Sequence, residues 1–160
     1  MTTFNGLPIH ALLVHFIVVL APLTAALAIL CAVWPAARKR LTWLVLGLAT
    51  TTVVLTPLTT EAGEWLEDKV GRSPLLHEHT ELGDTMVYFA IAMLAAAALL
   101  AAVHVLEVRG KSVKPVASWI VAVIVVVLSV ATTVQVYRIG DSGAAATWSD
   151  VAGTDAKPSN

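Results

Sequence analysis

The chain is poor in cysteine and in charge, and both shortages exclude whole classes of protein. Its single cysteine, Cys31, rules out an intramolecular disulfide framework and also a cysteine-ligated iron–sulfur cluster, which needs several thiolates. Charged residues make up 13% of the chain, about half the share that is usual in soluble domains. No basic patch interleaved with aromatic residues occurs, so we expect no nucleic-acid partner.

Sequence motifs for side-chain catalysis are also missing. The chain contains no nucleophile elbow, no phosphate-binding loop and no HExxH zinc motif. Nothing in the sequence therefore predicts a hydrolase or a transferase, and the enzymatic role that stays open is a redox one.

Apolar residues are what the chain has in excess. They form 58% of it, with a mean hydropathy of +0.81, and they concentrate in four stretches: 9–34, 41–59, 85–106 and 116–137. Each stretch approaches or exceeds the ~20 residues that a helix needs to cross a bilayer, and backbone groups in lipid must be satisfied within their own helix. We predict an all-α, integral membrane four-helix bundle over residues 1–148, surrounded by lipid, and a disordered polar tail over 149–160.

Basic residues are unevenly distributed between the two sides of the predicted bundle. Six lie in the connections after the first and third stretches, against four on the opposite side. Short loops rich in lysine and arginine stay on the cytoplasmic side. This bias predicts that both termini and the long connection 60–84 lie on the outer side, together with ten of the eleven acidic residues.

The connection 60–84 has predicted structure of its own. Residues 61–68 (EAGEWLED) extend the second span by about two helical turns, and Ser73 and Pro74 then interrupt the helix. His77 follows in what we interpret as a loop, where we expect it to be solvated.

Four of the five histidines lie at this outer end, and His15 is the most informative of them. It lies seven residues beyond Pro8, or about 10 Å along a helix, where an ionisable side chain inside the hydrocarbon is a functional candidate. His79 lies at a similar height on the third span, which runs parallel to the first. We predict that His15 and His79 bind a b-type haem as axial ligands, with Arg138 or Arg72 paired with a propionate. Such a protein would have a membrane or periplasmic redox partner, and a homo-oligomer stays open.

Two alternatives to the haem stay open. One is a divalent-metal site in a transport-associated protein. Glu61 and Glu64 share a helix face, and with His10 and His79 they would form a nitrogen–oxygen site suited to Zn, Fe or Mn. His15 could join that site only with a frayed first turn, because it lies about 140° around the helix from His10. The other alternative is an accessory subunit without chemistry of its own.

Four short segments carry a resemblance to a known family. They read GLPIHALLVHF at 6–16, AGE at 62–64, HTELG at 79–83 and RIGDSGAAATW at 138–148. In these segments the chain resembles the bacterial membrane family known as domain of unknown function 2231. The resemblance implies a multi-pass protein of the bacterial inner membrane. Some relatives are fused to Rieske-type iron–sulfur domains, which adds an expectation of electron transfer.

The chain departs from the family pattern at two places. Ala11 and Ile17 stand where prolines are usual around the second histidine, which should leave the first span straighter at its start. Asp141 stands where many members have a histidine, so the resemblance implies no histidine ligand at that position.

Overall fold

The chain is almost entirely helical over the residues that the computed structural model describes, which are 3–4, 7–70 and 73–154. Two-residue strands β1 (Thr3–Phe4) and β2 (Leu7–Pro8) pair antiparallel ahead of the first helix. The helices that follow are α1 (Ile9–Val33), α2 (Pro35–Val70), α3 (Pro74–Asp84), α4 (Met86–Val108) and α5 (Pro115–Thr154).

Four helical segments within these residues are long and apolar enough to cross a membrane by length and composition. They are α1, α2, the continuous segment formed by α3 and α4, and α5. The predicted all-α membrane fold with four spans is confirmed. The side of the membrane on which the termini lie stays a prediction.

The bundle is packed around small side chains. α1 packs mainly against α2 and α5, and α4 packs mainly against the same two helices, so α1 and α4 lie diagonally opposite each other. Ala21 and Ala28 on α1 and Ala96 and Ala97 on α4 are fully buried. Such small side chains let the helix backbones approach closely, which stabilises a bundle in lipid, where no hydrophobic effect drives the helices together.

The connection between the second and third spans is more helical than the sequence indicated. α2 continues to Val70, which confirms the extension predicted over 61–68. The loop predicted around His77 is wrong, because His77 lies inside α3. The side chain of Ser73 accepts a hydrogen bond from the backbone N–H of Leu76, and Pro74 is the first residue of α3. Ser73 and Pro74, which we predicted to interrupt the second helix, therefore also start a new one.

The C-terminal boundary lies partly outside the described residues. α5 continues to Thr154, and residues 155–160 are not described. The division of the chain at residue 148 and the disordered tail over 149–160 therefore stay predictions.

Candidate functional site

A cavity of about 820 Å³ opens at the end of the bundle where α1 begins and α2 and α5 end. This volume is within the range of about 300–1,000 Å³ that is typical of small-molecule and cofactor sites. Its wall is mostly apolar, and three histidines contribute to it: His10, His15 and His79. We call it the histidine cavity. Its main apolar lining residues are Val14, Ile17, Val18, Leu66, Leu76, Met86, Val136 and Ile139.

His10 lies in the first turn of α1 and contacts α2 across the bundle. Its Nδ1 lies 2.9 Å from the backbone carbonyl oxygen of Thr59. The ring lies so close to Gly63 that a Cβ at that position would come within 2.9 Å of the imidazole Cε1. In an α-helix the carbonyl of residue 59 points towards residue 63, so the missing side chain of Gly63 leaves that carbonyl accessible to His10.

His79 lies in α3 and contacts α5 in a similar way. Its Nδ1 lies 3.1 Å from Oγ of Ser142, and the Ser142 hydroxyl donates to the carbonyl of Ile139 at 3.0 Å. A Cβ at Gly143 would come within 2.9 Å of the His79 Cε1. Each of the two rings therefore lies against a glycine. Gly63 is four residues after Thr59, whose carbonyl accepts from His10, and Gly143 is four residues after Ile139, whose carbonyl accepts from Ser142.

These hydrogen bonds define where each ring carries its proton. The Thr59 carbonyl can only accept, so His10 donates from Nδ1. Because the Ser142 hydroxyl donates to Ile139, its oxygen accepts from Nδ1 of His79. In the neutral form of each ring Nε2 is then the nitrogen with the lone pair, and this is the form of histidine that binds a metal.

His10 and His79 are also in contact with each other. Their ring centres are 6.5 Å apart and the ring planes are nearly perpendicular, at 81°. From the sequence we predicted that His79 pairs with His15 instead. The structure brings His10, from the start of α1, and His79, from α3, together.

His15 lines the cavity but is exposed. Its Nδ1 hydrogen bonds to the backbone carbonyl of Ala11, one turn earlier in the same helix. The rotation of about 140° between His10 and His15 explains the difference, since the side of α1 that directs His10 inwards cannot also direct His15 inwards. The haem pair His15 and His79 stays a prediction without a contact between the rings to support it.

The carboxylates expected to complete a metal site are spread apart. Glu61 and Glu64 are both exposed, and of the two only Glu64 lines the cavity. Glu67 and Asp84 line it as well. Among the described residues, no group of three or more histidine, cysteine, aspartate or glutamate side chains is arranged to hold a metal ion.

Arg138, the predicted propionate partner, lies at the margin of the site. It is exposed on α5 beside the lining residue Ile139, and its Nη1 donates to Oε1 of Gln135 at 3.5 Å. Gln135 in turn donates from Nε2 to Oγ1 of Thr85 at 2.7 Å and so joins α5 to the start of α4. Arg72, the other arginine considered for this role, lies outside the described residues.

The residues that position the two rings were not predicted from the sequence. Gly63, Ser142 and Gly143 were noted only as parts of family-like segments, with no role assigned. A signal for them exists in the sequence, because glycine inside a helix costs about 1 kcal/mol relative to alanine and usually has a packing or functional reason. What could not be read from the sequence is which ring each glycine accommodates.

Comparison with known proteins gives one finding. No curated protein and no solved structure matches the chain. The family described as predicted membrane protein (DUF2231) matches residues 6–156, which is nearly the whole chain, and the protein belongs to that family.

Proposed function

We propose that this integral membrane protein binds one b-type haem in the histidine cavity, with His10 and His79 as axial ligands, and transfers electrons. The observation that carries the proposal is the orientation of the two imidazoles. Each has its Nδ1 held by a hydrogen-bond acceptor and its Nε2 left with a lone pair, and the ring centres are 6.5 Å apart. Such second partners on the other ring nitrogen are almost always found for histidines that ligate metals.

The number of protein donors favours haem over a bare ion. A structural zinc site takes four protein ligands and a catalytic one takes three. The described residues bring two imidazoles into contact and offer no group of three metal-binding side chains. A haem needs only axial ligands from the protein because its porphyrin supplies the other four nitrogens.

The dimensions of the site fit this cofactor. The ring centres of His10 and His79 are 6.5 Å apart and both rings line the cavity, so these two side chains could hold the iron of one haem. The largely apolar wall of the cavity suits a flat apolar macrocycle. A haem held there supplies one-electron exchange at its iron, and the protein's residues hold it, orient it and exclude water.

Arg138 is the candidate partner for the charged part of the cofactor. The cavity wall includes Glu64, Glu67 and Asp84 but no lysine or arginine among the described residues. The propionates would therefore lie towards the mouth of the cavity, with the guanidinium of Arg138 as their partner. Replacing Arg138 with Gln should weaken haem binding without changing the axial ligands.

The experiment is a haem titration of the purified full-length chain in detergent, followed by absorption spectra of the oxidised and dithionite-reduced protein. We expect one low-spin, six-coordinate haem per chain. His10→Ala and His79→Ala should both abolish that spectrum. His77→Ala is the matched control, because His77 is exposed in the same helix as His79, and it should leave the spectrum unchanged.

The variants also distinguish the other readings. Loss of the low-spin spectrum in His15→Ala, with His10→Ala unaffected, would establish the pair His15 and His79. A colourless protein with one Zn, Fe or Mn per chain by elemental analysis would establish a metal site instead. A colourless, metal-free protein would leave the third hypothesis, an accessory subunit without chemistry of its own. If His79→Ala does not fold, His79→Gly with added imidazole provides the test, since imidazole restores ligation and not a missing structural contact.

A further inference from the structure

The end of the bundle opposite the histidine cavity carries a concentration of positive charge. It consists of the tight turn between α1 and α2 and the loop between α4 and α5, and we call it the basic end. Glu107 is its one carboxylate, whereas its basic residues number six: Arg38, Lys39, Arg40, Arg109, Lys111 and Lys114.

A single ion pair joins the two connections. Nη2 of Arg38 lies 2.6 Å from Oε1 of Glu107, and Nε of the same arginine donates to Oε2 at 3.2 Å. Nη1 of Arg38 also donates to the backbone carbonyl of Cys31 at 3.1 Å, near the end of α1. The guanidinium is buried. Arg38 therefore neutralises the one acid of the basic end and holds the two connections side by side.

The remaining five basic residues are all exposed: Lys39, Arg40, Arg109, Lys111 and Lys114. Gly110, with a φ of 70°, forms the turn that starts the loop carrying the last two of them. Glu107 is hydrogen bonded to Arg38 and is one carboxylate among six basic residues, so the five exposed side chains leave the basic end with an excess of positive charge. Charges of one sign on neighbouring segments repel each other unless a counter-charge is bound.

Tryptophans mark the depth of these charges in the membrane. Trp34, Trp43 and Trp119 lie at the basic end and are 57%, 60% and 72% exposed. Exposed tryptophans at the ends of membrane helices lie at the level of the lipid headgroups. The five basic side chains thus lie at the height where the phosphates of phospholipids are found.

We propose that the basic end binds the headgroup of an anionic phospholipid, with the exposed cations of the α1–α2 turn and the α4–α5 loop on either side of its phosphate. Lysine and arginine near an anionic membrane surface contribute about 1 kcal/mol each, which is about a fivefold preference per residue. Basic sites between membrane helices on one face of a bundle bind such headgroups. This site is independent of the histidine cavity and of its cofactor.

The test measures which lipids stay bound. The full-length protein is reconstituted in vesicles of equimolar phosphatidylglycerol and phosphatidylcholine, extracted in mild detergent, and its bound lipids are analysed by mass spectrometry. We expect a several-fold excess of phosphatidylglycerol. Replacing Lys39, Arg40 and Lys111 with Gln should remove most of that excess, and exchanging them for the other basic residue (Lys39→Arg, Arg40→Lys, Lys111→Arg) should preserve it.

Three results would overturn the proposal. They are bound lipids that simply reproduce the vesicle composition, a Gln variant with the excess intact, or binding of soluble glycerol phosphate as strong as that of the lipid, which would show a site for a free phosphate rather than for a lipid. If the Gln variant does not fold, a salt series on the unmodified protein replaces it. The excess must then fall as ionic strength rises, because exposed charges are screened.

Discussion

At one end of this small bundle polar residues bind each other between the helices, and at the other end they line a cavity. At the basic end, Arg38 and Glu107 close the space between helices with a hydrogen-bonded ion pair. At the histidine end, the helices diverge around a cavity, and the polar groups of His10 and His79 are held at its wall by partners on other helices.

A histidine occurs at each end, and its surroundings differ accordingly. His104 is buried at the basic end, its ring centre 6.2 Å from that of Trp43, and its Nδ1 has no hydrogen-bond partner among the described residues. His10 and His79 are hydrogen bonded at Nδ1 and line a cavity. The comparison teaches that the partners of a histidine on neighbouring helices, and not its presence in a membrane bundle, decide how its ring is held.

The largest effect is expected at the basic end. Glu107→Ala leaves the buried guanidinium of Arg38 without its counter-charge, which should cost about 2–3 kcal/mol because the Glu107 side chain is itself only partly buried. We expect a loss of unfolding free energy of about that size in detergent-induced unfolding. The double variant Arg38→Met/Glu107→Leu is the control, because removing both charges should recover most of the loss. An unchanged stability of Glu107→Ala would show that the pair contributes little.

The next effect concerns the glycines at the histidine end. Gly63→Ala and Gly143→Ala each place a methyl group within 2.9 Å of an imidazole carbon, so the ring must move and lose the hydrogen bond at Nδ1. We expect each to lower the unfolding free energy by about 1–2 kcal/mol. Gly47→Ala and Gly140→Ala are matched controls in the same two helices, with no atom within 4 Å of the added Cβ.

The controls should change stability in the opposite direction. Alanine is favoured over glycine inside a helix by about 1 kcal/mol, so Gly47→Ala and Gly140→Ala should be neutral or stabilising. Equal effects at all four positions, measured by the same unfolding assay, would contradict the claim that Gly63 and Gly143 are needed for close approach of the rings.

A smaller effect is expected for the residue that orients His79. Ser142→Ala removes the hydroxyl that accepts from Nδ1, which should cost about 1 kcal/mol and leave the ring free to change tautomer. Nitrogen NMR of labelled histidine should show the Nδ1-protonated form of His79 in the unmodified protein and a mixture in the variant. Thr147→Ala, which removes a hydroxyl bonded only within α5, is the control.

The smallest effect is expected for the two exposed carboxylates. Glu61→Gln and Glu64→Gln should each change the unfolding free energy by no more than about 0.5 kcal/mol, as is usual for surface positions. They should also leave haem binding unchanged. A loss of bound metal in both variants would instead revive the site formed by His10, Glu61, Glu64 and His79.

The four spans could be predicted well from the sequence, and the candidate site only in part. An apolar run of about 20 residues or more can cross a bilayer, and in lipid its backbone N–H and C=O groups can all form hydrogen bonds only if the run is a helix. The helices α1, α2, α4 and α5 therefore follow from composition alone. The helix α3 was missed because its apolar content is too low to register as a span. That error also placed His77 in a loop, although its solvent exposure was predicted correctly.

By itself the sequence determined that this chain is a four-span membrane protein with histidines and acids collected at one end and bases at the other. It also determined that His10 and His15 cannot share a helix face, since the turn of an α-helix is fixed. Only the tertiary structure decided which of them meets His79, and that Gly63 and Gly143 make room for the rings. The physical reason is that such contacts depend on the rotation of each helix about its axis and on the distance between helices. Packing between helices determines this rotation and this distance, and the residue pattern along a single helix does not predict them.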